Sequence, residues 1–216
     1  HRLFKIFPRA ENNYYRNIKV FVGRSPFHNK NKKNFPSLKQ KDFTILFLAT
    51  KHGTVEKGII MFFLKELFKS LEEIQTTPLI LIRVHPFQNL SIFNALKSNF
   101  GNNIVFANNN SLEEEIYKSD LVIFENTTAG FDAMLQGKPT IYFNPYTGED
   151  SFNICNSGSL MVLSLRDLRV KLPMFVKDKK QQKRSLINGQ VFANQYLGLD
   201  SPSSQISEII KKVLSQ

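Results

Sequence analysis

The sequence predicts an α/β domain built on a doubly wound parallel sheet, and three observations carry that prediction. Between residues 43 and 143, short apolar runs alternate with stretches of helical periodicity. Nearly every apolar run ends in a short polar turn, as strands do when they are buried on both faces and joined by right-handed crossovers. The 216 residues, 42% of them hydrophobic, suffice for one such domain with flanking segments.

Taken in order, residues 18–22 (Ile-Lys-Val-Phe-Val) read as a short strand ending at Gly23, and residues 25–40, rich in Asn, Lys, Pro and Ser, as a linker. Phe43 to Ala49 is a continuous apolar run suited to a buried strand. A polar turn, Thr50 to Thr54, leads into an amphipathic helix from Val55 to Ile74, with Ile59, Phe62, Phe63, Leu67 and Leu71 at helical spacing. Pro78 to Val84 is a strand closed by His85-Pro86, Leu90 to Phe100 a helix, and Asn103 to Ala107 a strand followed by three asparagines. Ser111 with Glu114 three residues on forms a capping box for a helix ending near Lys118. Leu121 to Phe124 is a strand, Ala129 to Gln136 a helix, and Thr140 to Phe143 a strand; between the last two, Gly137-Lys138-Pro139 stops the helix and forces an extended restart. A sixth strand at Leu160 to Leu163, a short helix from Ser164, and helices around residues 184–196 and 203–214 complete the chain. The expected division is a basic arm and linker at 1–41, the α/β domain at 42–200 and a C-terminal helix at 201–216.

Charge is unevenly spread. Residues 1–41 hold eleven Lys or Arg against one acid, whereas residues 42–216 hold eighteen against seventeen. The basicity therefore belongs to the arm, which suits an anionic membrane surface or nucleic acid as well as a solvated linker. The run Lys30 to Lys33 lacks interleaved aromatics, and neither a helix-turn-helix nor a zinc pattern occurs, so no specific nucleic-acid partner is expected. The single cysteine, Cys155, rules out an internal disulfide and suits a cytoplasmic setting. No apolar run reaches the roughly 20 residues of a membrane helix. The first residue is His, so the chain reads as part of a longer protein.

Ligands of open parallel sheets bind beyond the carboxyl ends of the strands. The most informative turn there is Glu125-Asn126-Thr127-Thr128-Ala129-Gly130, which joins a strand to a helix N-terminus. Backbone N–H groups and the helix dipole converge at such a point and favour an anion. Thr127 and Thr128 add hydroxyls, and Gly130 allows close backbone approach; a simple helix cap is the competing reading. His85, set extended by Pro86, stands at a strand end where imidazole can donate to a phosphate; Arg83 lies two residues earlier. His52 in the first turn has the same potential. There is no Walker motif, no Gly-x-Gly-x-x-Gly, no Gly-x-Ser-x-Gly and no metal-ligand spacing among the four histidines, so no nicotinamide cofactor and no metal are expected.

Four pieces resemble the C-terminal, Rossmann-like donor-binding domain of GT-B glycosyltransferases, in particular the bacterial surface-polysaccharide and CDP-glycerol glycerophosphotransferase group. They are Val84-His85-Pro86, Lys118 to Ile123, Thr127 to Ala133 and Gly137 to Tyr142. Lys19 to Gly23 with Pro26, and Tyr196 to Asp200, look like that group's flanking segments. The resemblance implies a metal-independent transferase acting in cell-surface polysaccharide synthesis. A nucleotide-diphosphate-sugar or CDP-polyol would be the donor substrate, with no separate cofactor. A glycan or lipid-linked glycan would be the acceptor, and the enzyme would work in the cytoplasm, with the basic arm touching the inner face of the membrane. It puts the donor diphosphate on Thr127, Thr128 and Ala129 with help from His85, the base near Asn108 to Ser111 (Asn110 and Ser111 foremost), and the ribose on Asp132. Glu125-Asn126 replaces the group's usual Asp-Tyr, and Asp132 its usual Glu. In the family, the acceptor and usually the catalytic base come from an N-terminal domain, so this chain alone is expected to bind donor and turn over poorly. Two other readings stand beside this one: a nucleotide-sugar epimerase on the same scaffold, and a non-catalytic Rossmann-like module whose arm docks on membrane or nucleic acid.

Overall fold

The computed structural model describes residues 43–50, 56–72, 78–85, 103–106, 110–145, 150 and 152–197. Six strands form one sheet: β1 (Thr44–Leu48), β2 (Leu79–Arg83), β3 (Ile104–Phe106), β4 (Leu121–Phe124), β5 (Thr140–Phe143) and β6 (Met161–Leu163). All five pairings are parallel, in the order β3-β2-β1-β4-β5-β6. The chain thus builds outward from β1 to β3, then returns to the other side of β1 and builds outward again. The strand order reverses between β1 and β4.

The helices are α1 (Glu56–Glu72), α2 (Leu112–Lys118), α3 (Ala129–Leu135), α4 (Ile154–Ser157), α5 (Leu168–Lys177) and α6 (Lys179–Leu197). β1, β4 and β5 are buried at every residue, as their unbroken apolar runs require. Alternate residues Ile45, Phe47, Ile123, Ile141 and Phe143 pack with Phe63, Leu64 and Leu67 of α1 and Leu172 and Phe175 of α5. There Phe63 stacks on Phe143, with ring centroids 3.8 Å apart. The opposite face is covered from α2, α3 and α6. Phe62, expected on the apolar stripe of α1, is instead half exposed.

The amino-terminal edge of the sheet is closed by polar bonds. The Asp120 carboxylate accepts from the Thr44 N–H at 2.8 Å. Lys138 Nζ donates to the Tyr117 and Ser119 carbonyls at 2.6 and 2.7 Å, capping the C-terminal end of α2. Burial pushes the Lys138 ammonium below its usual range, with Asp120 opposing. The Ser185 hydroxyl donates to the Thr140 carbonyl at 2.8 Å and tethers α6 to the start of β5. Gly137 takes a left-handed φ of 71°, the expected end of α3.

The last two helices differ from expectation. In place of a short helix from Ser164, α5 starts at Leu168 and runs through Pro173, and the helix expected around 184–196 is present as α6 but starts earlier, at Lys179. Asp178 Oδ1 accepts from the Lys180 and Gln181 N–H groups, so it caps α6. The buried stripe of α6 includes Gln182, Ser185, Gly189 and Ala193, which have helical spacing but are small or polar and invisible to hydrophobic periodicity. The expected strand at 18–22, helices at 90–100 and 203–214, and boundaries at 41/42 and 200/201 lie outside the described residues.

Candidate functional site

Leu48 of β1 pairs with Arg83 of β2 on one side and Phe124 of β4 on the other. The ladder continues past the strands: the Ala49 N–H donates to the Arg83 carbonyl at 3.0 Å and the Glu125 N–H to the Leu48 carbonyl at 3.4 Å. Carried two residues past these pairs, the register would set His85, Thr50 and Asn126 in one row across the carboxyl edge. With strands about 4.8 Å apart, His85 and Asn126 would then be separated by roughly 10 Å of backbone. Such a gap suits a ligand with two separated polar ends better than a single small ion.

Glu125 holds this row together. It is buried, and its Oε2 accepts from the Thr50 N–H at 3.1 Å, tying the end of β4 to the end of β1 where strand order reverses. Beside it, the Tyr142 hydroxyl donates to Asn126 Oδ1 at 2.7 Å. Sequence reasoning named Asn126 only as part of the turn and gave Tyr142 no role at the site; their hydrogen bond joins the turn after β4 to β5.

The turn into α3 is tighter than an ideal helix start. The Gly130 N–H donates to the Thr127 carbonyl at 3.2 Å and the Phe131 N–H to the Thr128 carbonyl at 3.0 Å. Thr127 Oγ1 accepts from the Ala129 N–H at 3.4 Å, a long bond. Thr128 is the N-cap by position, but its side chain makes no capping bond and is exposed. Of the groups expected to meet an anion, those left outward are thus the Thr128 hydroxyl and the weakly held Ala129 N–H. Gly130 approaches the sheet: a Cβ there would lie 2.2 Å from the Phe124 ring. Asp132 is half-buried one turn further along α3.

The expected base-binding turn is reached through Arg83. Its Nη1 donates to the Asn110 carbonyl at 3.1 Å and to buried Glu115 at 2.5 Å. Burial pushes the Glu115 carboxyl above its ordinary range, Arg83 pulling the other way, and Glu115 Oε1 is buried with no hydrogen-bond partner. Ser111 caps α2 by accepting from the Glu114 N–H at 3.2 Å. Only half of the capping box forms, because the Glu114 carboxylate turns to Lys118 at 2.5 Å. His85 is half-buried at the end of β2. His52 and residues 107–109 lie outside the described residues.

Cys155 is exposed and accepts from Asn144 at 3.4 Å; partial desolvation, with Asp150 adding to it, pushes its thiol up, which disfavours the nucleophilic thiolate. Among the described residues no group of three or more His, Cys, Asp or Glu is placed to hold a metal, and no helix is long and apolar enough to cross a membrane.

No family model matches the chain, and no curated protein matches it in sequence. Solved structures match it in fold. The spinosyn rhamnosyltransferase SpnG aligns over 91% of this chain and 53% of its own, with a TM-score of 0.59 and 12% identity. The chain has the Rossmann-like fold of one GT-B half. A putative UDP-N-acetylglucosamine 2-epimerase from Listeria monocytogenes shares this half-fold over 81% of this chain and 51% of its own, with a TM-score of 0.55 and 14% identity. A variant of the wall teichoic acid polymerase TagF does so over 82% and 46%, with a TM-score of 0.52 and 20% identity. The chain therefore spans about half the length of each of these proteins. In a GT-B half with this strand order, the reversal between β1 and β4 is the place where an open α/β sheet takes its ligand.

Proposed function

We propose that this chain is the donor-binding half of a GT-B transferase that makes a cell-surface polysaccharide from a nucleotide-diphosphate-sugar or CDP-polyol. The observation that carries the reading is the Glu125–Thr50 bond, which closes the β1/β4 switch point beneath the Thr128 end of α3. Thr128 and Ala129 would take the diphosphate, with Thr127 shaping the turn. His85 would donate to it from the far end of the row, making it the chain's catalytic group. Asn110 and Ser111 would border the base and Asp132 the ribose. Glu125 and Gly130 would act indirectly, by holding the turn. His52, which follows β1 in the sequence, would complete the phosphate contacts.

In transfer, the acceptor hydroxyl would give its proton to a base, which the family resemblance assigns to an N-terminal domain, while its oxygen bonds to the donor's reacting carbon or phosphorus and the bond to the leaving nucleotide oxygen breaks. Negative charge builds on the departing nucleotide. Preformed donors at that point lower the barrier because they are already oriented, and removing one costs on the order of 2.7–4 kcal/mol if it behaves like an oxyanion-hole contact. An epimerase on the same fold would need carboxylates open to the sugar. Glu115 and Glu125 are instead buried against Arg83 and Thr50, which favours the transferase reading.

Calorimetry of the full chain against CDP-, UDP-, GDP- and CMP-linked compounds tests this. One base class is expected to bind, and Thr128→Ala or His85→Ala to weaken it roughly 10-fold or more, the worth of one hydrogen bond to a charged group. No binding by any compound, or full affinity in both variants, would sink the proposal.

A further inference from the structure

The near-neutral balance of residues 42–216 conceals a strong polarity. Residues 166–184 carry eight Lys or Arg against two acids, leaving ten against fifteen in the rest of that span. The eight are Arg166, Arg169, Lys171, Lys177, Lys179, Lys180, Lys183 and Arg184, on and around α5 and α6, and every one is exposed. Arg169 pairs with Glu66 and Lys171 with Asp167. Among the described residues Arg166, Lys177, Lys180, Lys183 and Arg184 have no ion-pair partner.

Apolar side chains stand among these cations. Val170 and Met174, one turn apart on α5, are 64% and 63% exposed. Beside them, a groove of about 520 Å³ runs along the β6 edge, with Lys171 and Met174 on one wall and Arg184 and Asn188 on the other. The end of α5 and the start of α6 lie at the amino-terminal edge of the sheet: Lys179 sits over the Phe43 ring before β1, and Ser185 bonds Thr140 at the start of β5. The cations from Lys177 to Arg184 therefore lie at the edge opposite the strands' carboxyl ends, whereas Arg166 and Arg169 follow the carboxyl end of β6.

We propose that the α5–α6 surface docks on an anionic lipid bilayer, its cations meeting headgroup phosphates while Val170 and Met174 enter the interface. Cations flanking exposed aliphatic side chains match a bilayer surface, which offers anionic charge and an apolar boundary together. Nucleic acid fits less well, because the exposed residues of 166–184 include no aromatic to stack on a base. Docking in this orientation leaves the carboxyl edge open to a water-soluble ligand, whatever that ligand is. It also assigns the membrane contact to the folded domain and not to the arm at 1–41.

Co-sedimentation of the full chain with vesicles of phosphatidylcholine containing about 30% phosphatidylglycerol, against phosphatidylcholine alone, tests the assignment. Binding should require the anionic lipid. The triple variant Lys180→Ala, Lys183→Ala, Arg184→Ala should weaken it roughly a hundredfold, at about fivefold per cation removed near an anionic surface. Val170→Ser with Met174→Ser should weaken vesicle binding while leaving any binding to a DNA duplex unchanged. Vesicle binding that survives the triple variant but is lost when the basic residues of 1–41 are neutralised would overturn the proposal. So would an aliphatic double variant that binds vesicles as the parent does.

Discussion

Each edge of the sheet carries a carboxylate, a cation and a hydroxyl, but the two edges use them to different ends. At the amino-terminal edge, Asp120, Lys138 and Ser185 each close a hydrogen bond onto backbone of a neighbouring element. At the carboxyl edge, Glu125 and Arg83 do likewise, but Thr128 and Asn110 remain exposed around them. A polar residue at a strand end is therefore not in itself a mark of a site. What separates the edges is hydrogen-bonding capacity that faces outward after the backbone has been satisfied.

The largest effect should come from a residue of the carboxyl edge that behaves like one of the other edge. Gly130→Ala drives a Cβ to 2.2 Å from the Phe124 ring, which is held in turn against Tyr142. Overpacking at the upper end of its usual range, about 3 kcal/mol, is expected, with ligand affinity falling only as far as α3 shifts. Urea unfolding measures it; wild-type stability in the variant would contradict the close approach of α3 to β4.

Next comes Lys138→Met. It removes two charge-assisted bonds to carbonyls at the end of α2, and because Lys138 is half-buried, water replaces part of them. A loss of about 2 kcal/mol with unchanged donor affinity is expected. Thr128→Ala should show the reverse pattern, with weakened binding and stability within about 0.5 kcal/mol of the parent. If both variants moved both quantities together, the distinction between the edges would collapse.

The sequence made the sheet legible wherever burial on both faces left an unbroken apolar run: β1, β4 and β5 lie within a residue of expectation. The helix expected around 184–196 lies within α6, but its start at Lys179 was not legible, because Gln182, Ser185, Gly189 and Ala193 form a buried stripe that is small or polar and carries no hydrophobic period. The candidate site was legible as a place and less so as a set of contacts. Strand-end turns follow from the alternation of elements. That Glu125 would turn inward to Thr50, and Arg83 to Glu115, depends on pairings 75 and 32 residues apart, which spacing along the chain does not encode.

The smallest effect sharpens the comparison from inside the carboxyl edge. Glu115 is buried with one oxygen on Arg83 and the other without a partner, and burial raises its carboxyl above the ordinary 4.5. The folded state then holds this proton more tightly than the unfolded chain. Its contribution to stability is fully present below about pH 4.5 and is lost as pH rises through the raised value. Glu66 and Asp167 act in the opposite sense: Arg169 and Lys171 hold their carboxyls low, so their contributions are lost as pH falls. Comparing Glu115→Gln with the parent across pH cancels those shared terms. The difference should favour the parent most at acid pH and decline above pH 4.5, ending within about 1 kcal/mol near neutrality, since a buried ion pair and its neutral replacement are often close in energy. A flat difference would mean that Arg83 fully compensates the burial of Glu115, and one that grows toward neutral pH that it more than compensates; either would make this end of the sheet as fully closed as the other.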